Sequence, residues 1–176
     1  MTMDYTILLK QQRLLGRKPI LDQTGQVAFV LKGSIANPGH MIYLSDANRH
    51  EVGRLFPASK SKSRKQTFTI DVVGQPLITV TKLPGQAVTL FYMSRLKYWV
   101  HGSAANSTFS FKKGLVTEAV IKKAIEPSGP VAHCQIRQEQ AVPAVLLASA
   151  LVASWNLKQL KLPNPFAVPL RLDDCC

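Results

Sequence analysis

The sequence predicts a mainly β domain, a sandwich or barrel of many short strands, followed by one helix that is apolar on every side. Three observations predict it. From Tyr5 to Arg137, short apolar or alternating runs recur at roughly 10-residue spacing, as they do in all-β sandwiches and barrels. Turn signals built on Asp and Gly separate several of these runs. At Ala141 the pattern changes to an Ala/Leu-rich stretch without a polar face.

Taken in order, the first runs are Tyr5–Leu9, Lys18–Asp22, Gln26–Lys32, His40–Ser45 and Glu51–Phe56. Thr67–Val73, Pro76–Lys82, Ala87–Met93 and Lys97–His101 follow, then Ser107–Phe111, Leu115–Lys122 and Val131–Arg137. Alternation is cleanest in the sixth run, where Phe68, Ile70 and Val72 share one face and Thr69 and Asp71 the other. Asp22-Gln23-Thr24-Gly25 and Asp71-Val72-Val73-Gly74 place Asp three residues before Gly. Asp bonds to the backbone beyond it and Gly supplies a positive φ, so both read as tight hairpins. Leu44–Gly53 reads as a longer hairpin of the same kind.

The apolar stretch Ala141–Trp155 predicts a helix near 142–160, with Pro143 at its first turn and Lys158 and Lys161 in its last turns. A helix apolar all round must be enclosed by protein or lipid. This one falls short of the roughly 20 residues a membrane span needs, so enclosure by the strands is expected. Three prolines in Leu162–Leu170 forbid regular structure beyond it. The expected organisation is one domain over 1–161 and an extended Pro-rich tail over 162–176.

Composition bounds the partners. Hydrophobic residues are 46% and charged residues 18% of the 176, which excludes general disorder. The net charge of +12 arises more from scarce acids than from abundant bases. Such a surface prefers polyanions: nucleic acid, anionic lipid or an acidic protein. Three cysteines, Cys134, Cys175 and Cys176, do not make a disulfide framework. No basic n-region leads into an apolar h-region at the start, and Thr2 excludes N-myristoylation. A cytoplasmic protein is expected, peripheral to the membrane if it binds lipid.

Short strands followed by one wholly apolar helix is an unusual order. It resembles the LURP-one-related family, whose fold is similar to the tubby C-terminal domain and the phospholipid scramblases. The resemblance is carried by Tyr5–Leu14, Arg17–Gly33, the hairpin Met41–Leu55 and the helix Ala144–Trp155. It implies a closed barrel of about twelve antiparallel strands threaded by the C-terminal helix. Tubby domains bind phosphoinositide headgroups through Lys and Arg, which makes anionic phospholipid the expected partner.

The strongest polar feature is the Ser-rich connection carrying Lys60, Lys62, Arg64 and Lys65, with no acid among them. Near a negative membrane each cation is worth about 1 kcal/mol. Lys112 and Lys113, with Lys122 and Lys123, bracket another hairpin, and Arg95 and Lys97 flank a turn beside Tyr98-Trp99. The expected anion- or lipid-headgroup-binding set is therefore Lys60, Lys62, Arg64, Lys65, Lys112, Lys113, Arg95 and Lys97. The same pattern also arises from hairpin tips that only keep a basic protein soluble. An interaction protein that binds nucleic acid or an acidic partner is the alternative reading.

Nothing points to a reaction. The sequence contains no Cys-x-x-Cys, no helical zinc spacing among His40, His50, His101 and His133, and no G-x-S-x-G, P-loop or dinucleotide fingerprint. Adjacent strand residues face opposite sides, so His133 and Cys134 cannot act as a base–nucleophile pair. Cys134 shares a face with Ala132 and Ile136 and reads as buried; His133 reads as surface. Asp173-Asp174-Cys175-Cys176 lacks the C-a-a-X form of a prenylation signal. The expectation is a non-catalytic module without cofactor, metal or small-molecule substrate.

Overall fold

The computed structural model describes residues 2–9, 16–33, 41–58, 67–83, 89–103 and 107–157. Twelve antiparallel strands form a closed barrel. They are β1 (Met3–Leu8), β2 (Arg17–Asp22), β3 (Val27–Lys32), β4 (Ile42–Asp46), β5 (Glu51–Pro57) and β6 (Thr67–Val72). The other half comprises β7 (Ile78–Leu83), β8 (Thr89–Met93), β9 (Tyr98–Ser103), β10 (Thr108–Lys113), β11 (Val116–Glu126) and β12 (Gly129–Ile136). Each strand pairs with its neighbours in chain order, and β1 closes on β12 from Met3↔Ile136 to Leu8↔Val131. Closure removes the exposed edges that an open sheet would present.

This meander has two distinct mouths. Odd strands end and even strands begin at one of them; β12 ends at the other. There the chain turns through a 3₁₀ segment, Glu139–Ala141, into helix α1 (Val142–Leu157), which runs back through the lumen. We call the two ends the entry mouth and the exit mouth. Eight strands leave an interior just wide enough for side chains. Twelve leave room for a helix, whose diameter with side chains is roughly 10–12 Å.

Burial follows from enclosure. All residues from Ala144 to Val152 are buried, and burying each large aliphatic among them, such as Leu146, Leu147 and Leu151, contributes about 1.5–3 kcal/mol. The helix packs chiefly against β4, β5, β6 and β12. Small residues open that side: Gly53 on β5, and Ala132 and Cys134 on β12. On β8–β10 the inner face carries Phe91, Tyr98, Phe109 and Phe111, which fill the rest of the lumen. Gly102 of β9 makes room for one of these rings, since a Cβ there would collide with the Phe109 ring. Ser149, the one hydroxyl on the buried helix stretch, donates back to the Val145 carbonyl. Burial pushes the neighbouring Cys134 thiol up to about 12.

Each expected strand is present, with ends shifted by a few residues. β11 runs on to Glu126, and β12 begins earlier, at Gly129. The helix starts at Val142, so Pro143 is its second residue, still within the first turn where a missing N–H costs nothing. Lys158, Lys161 and the Pro-rich tail lie outside the described residues.

The turn reading needs one correction. Asp22 caps its hairpin: Oδ1 accepts from the Thr24 amide (2.8 Å) and hydroxyl (2.7 Å) and from the Gln26 amide (3.0 Å). Asp46 does the same for the His50 amide, at 2.8 Å. Asp71 does not. Its carboxylate instead takes the Arg54 guanidinium, directly opposite on β5, through Nε (3.1 Å) and Nη2 (2.9 Å). The turn is formed one residue later, with the Gln75 amide donating to the Val72 carbonyl.

Candidate anion-binding surfaces

Four of the expected cations come together at the entry mouth. Arg95 and Lys97 lie in the β8–β9 turn, and Lys112 and Lys113 end β10. Lys112 pairs with Trp99 across β9 and β10, so the two hairpin tips are neighbours in the sheet. All four side chains are exposed. Glu118 is the nearest acid in the chain on β11, and it is buried.

Apolar side chains are interleaved with these cations. Leu115, at the tip of the β10–β11 hairpin, is fully exposed, Trp99 is 42% exposed, and Val116 is open too. The next hairpin, β6–β7, adds exposed Val73 and Leu77. Trp99 is not loose: its ring packs against Tyr92 at 4.8 Å between centroids, tilted by 46°. Tyr98, its sequence neighbour, points inward as strand alternation requires and donates to Gln138 Oε1 at 3.1 Å. Burial, together with the charge of Glu118, pushes the Tyr98 hydroxyl up to about 12. A second tie, from Gln75 Nε2 to the Gln140 carbonyl (2.8 Å), holds the β6–β7 turn against the start of the helix.

The β8–β9 turn also bears backbone strain. Lys97 has φ 56, in the left-handed region, where Gly25 (φ 79) serves the first hairpin. In both turns the amide of this residue donates to the carbonyl three residues back, Lys97 to Ser94 and Gly25 to Asp22. A long cation thus occupies a position that backbone sterics would give to Gly or Asn.

The remaining expected cations, Lys60, Lys62, Arg64 and Lys65, lie outside the described residues. The flanking strand ends, Ala58 and Thr67, are joined by an amide-to-carbonyl bond of 3.0 Å at the exit mouth. Of the eight expected residues, the four described ones, Arg95, Lys97, Lys112 and Lys113, share the entry mouth. Lys122 and Lys123 do not flank the β10–β11 tip. They sit well up β11, where Lys122 pairs with Thr108 at the start of β10.

The exit mouth holds lysines of a different kind. Lys18 on β2, Lys82 on β7 and Lys123 on β11 follow the inward-facing residues Ile20, Val80 and Ile121 by strand alternation. Lys18 is only 8% exposed. Burial holds all three ammonium groups below the ordinary lysine range. The Lys123 Nζ sits 5.6 Å from the centroid of the Phe109 ring. With Arg17, Lys32 and Lys122 these make six described cations at this mouth, where Glu126 is the one described acid. The other described acids, Asp4, Asp22, Asp46, Glu51, Asp71, Glu118 and Glu139, belong to the entry half. Reading charge runs along the sequence missed this segregation. Its signal was a lysine two residues from a core aliphatic on three different strands.

On the outer wall, His133 Nδ1 is 3.2 Å from Thr6 Oγ1, and its Nε2 is 3.0 Å from Glu126 Oε1. The order hydroxyl, imidazole, carboxylate is that of a hydrolytic relay. Here His133 and Glu126 are each 41% exposed on the outside of a paired sheet, whose ladder engages the strand amides an oxyanion hole would need. Among the described residues no group of His, Cys, Asp and Glu is placed to hold a metal ion. No helix among them is long and apolar enough to cross a membrane.

No family model matches the chain, and no curated protein matches it by sequence. In structure the chain is similar to the X-ray structure of a protein from Arabidopsis thaliana. It is 16% identical with a TM-score of 0.54, over 88% of this chain and 91% of that one. What the two share is the fold. At this identity the likeness is one of fold alone and extends to no site residue.

Proposed function

We propose that this chain is a LURP-one-related, tubby-like module of the cytoplasm that docks peripherally on anionic phospholipid and catalyses no reaction. One observation carries the reading: fully exposed Leu115 stands at the entry mouth among Arg95, Lys97, Lys112 and Lys113. Cations alone serve any polyanion. An aliphatic side chain held out in water beside them gains free energy only against another apolar phase, and a bilayer interface offers both. Trp99 supports this, because an amphipathic ring favours the headgroup level. Lys60, Lys62, Arg64 and Lys65, also expected to bind headgroups, lie outside the described residues and carry no part of this reading.

Co-sedimentation with vesicles tests the reading. Binding to phosphatidylserine-containing vesicles is expected at low salt, with little binding to neutral ones. Lys112→Gln with Lys113→Gln removes two cations and should weaken it about thirtyfold. Equal binding to neutral vesicles, or tight salt-dependent binding to duplex DNA without lipid binding, would overturn it.

A further inference from the structure

The entry mouth is two-sided. Its rim consists of the β2–β3, β4–β5, β6–β7, β8–β9 and β10–β11 turns and the end of β12, all within the described residues. The β6–β7, β8–β9 and β10–β11 turns follow one another around the barrel. The first two are joined up to their tips: the Ser94 amide donates to the Thr79 carbonyl (2.9 Å) and the Thr79 amide to Ser94 Oγ (3.0 Å). Apart from Val27, every large apolar side chain exposed at this mouth lies on these three tips. They are Val73 and Leu77 on β6–β7, Trp99 on β8–β9, and Leu115 and Val116 on β10–β11.

Charge divides the rim in the same way. Arg95, Lys97, Lys112 and Lys113 stand on the apolar side, where Glu118 is buried and Asp71 is paired with Arg54 at 2.9 Å. On the other side Asp4, Asp22, Asp46, Glu51 and Glu139 outnumber Arg49 and Arg137. We propose that the barrel docks tilted: an anionic bilayer takes the β6–β7, β8–β9 and β10–β11 tips, and the acid-bearing β2–β3 and β4–β5 tips stand clear of it in water. A negative surface attracts the first set and repels the second, within a Debye length of about 8–10 Å. Apolar side chains gain by entering the boundary between headgroups and acyl chains, and all but Val27 stand on the side that charge draws in. The Arg54–Asp71 pair leaves the β6–β7 tip without net charge, so Val73 and Leu77 can approach phosphate. The inference rests on the docking reading above and adds which half of the mouth meets the lipid.

The competing occupant of the patch is a second copy of this chain, its acid-bearing half set against the basic half of the first.

Leu77 and Ala47 are both exposed at this mouth, on opposite sides of the division. Each can be changed to Cys and labelled with an environment-sensitive fluorophore, with Cys175 and Cys176 changed to Ser and Cys134 buried. On phosphatidylserine vesicles that sediment the protein, the label at 77 should shift to the blue and the label at 47 should stay as in water. Equal responses, a response at 47 alone, or silence at both in sedimenting protein overturn the tilt and leave docking standing. Failure to sediment overturns the docking reading and the tilt together. Arg54→Gln leaves the Asp71 charge unpaired and should weaken vesicle binding about fivefold, and adding Asp71→Asn should restore it. Unchanged binding in the single variant, or no recovery in the double, removes the β6–β7 tip from the docking face. Without lipid, the chain should sediment as a monomer in the ultracentrifuge. A dimer that Leu77→Asp disperses would give the patch to a second copy and overturn the proposal.

Discussion

Gly53 of β5 lies beneath Leu147 of α1: a Cβ at Gly53 would stand 3.2 Å from Leu147 Cδ1 and 3.0 Å from the Asp71 carbonyl oxygen. The helix comes close to β5 because this position carries no side chain. Gly53→Val should destabilise the domain by about 1–3 kcal/mol, the ordinary cost of overpacking, read as a lower urea midpoint at unchanged slope. A midpoint equal to wild type would mean the helix shifts freely in the lumen.

Charge in the lumen is a harsher test of enclosure. Leu147 and Ala150 are both fully buried, so Leu147→Lys or Ala150→Asp would place an unpaired charge in an apolar core. The cost, several kcal/mol, is comparable to the stability of a whole domain. Neither variant should show a cooperative thermal transition at the wild-type temperature. If one does, the helix is not enclosed.

The Asp22 hairpin contributes stability that is lost on the acid side. The Thr24 hydroxyl lowers the Asp22 carboxyl most; desolvation, next in size, opposes it, and the backbone amides of Gln26, Thr24 and Gly25 add enough to hold the carboxyl below its ordinary range. A depressed folded-state value means the stabilisation is present above the unfolded value, near 3.9, and is lost as pH falls through the folded one. Between about pH 5 and pH 2 the wild type should therefore lose melting temperature faster than Asp22→Asn. Parallel profiles would contradict it.

How far these features were legible from the sequence depended on range. The strands and the helix could be read because their signal is periodic: Phe68, Ile70 and Val72 point inward as the alternation requires. Asp22 and Asp46 were legible as turn caps because their partners lie within four residues. Asp71 has the same local pattern, yet a cross-strand partner, Arg54, 17 residues away, takes its carboxylate. The same limit applied to the basic residues. Runs of lysine stand out in a sequence, whereas which mouth a strand end belongs to is decided by pairing. Lys112-Lys113 and the segment with Lys60 look alike as text and attach at opposite ends. Lys18, Lys82 and Lys123 are isolated in sequence and share a mouth only once the barrel closes.

Lys97 separates folding from binding. With φ 56 it bears strain that glycine would not, so Lys97→Gly should melt no lower than wild type. The same change removes one entry-mouth cation and should weaken binding to phosphatidylserine vesicles about fivefold. A lower melting temperature with unchanged vesicle binding would make the residue structural.

The central claim is that the entry mouth faces the bilayer, and two exposed aliphatic residues at opposite ends allow it to be read directly. Leu115 sits at the entry-mouth tip and Ile125 at the exit end of β11, both almost wholly in water. Each can be changed to Cys in turn and labelled with an environment-sensitive fluorophore, in a background with Cys175 and Cys176 changed to Ser and Cys134 buried. On adding phosphatidylserine vesicles, the label at 115 should brighten and shift to the blue while the label at 125 stays as in water. A response at 125 and none at 115 would contradict the account.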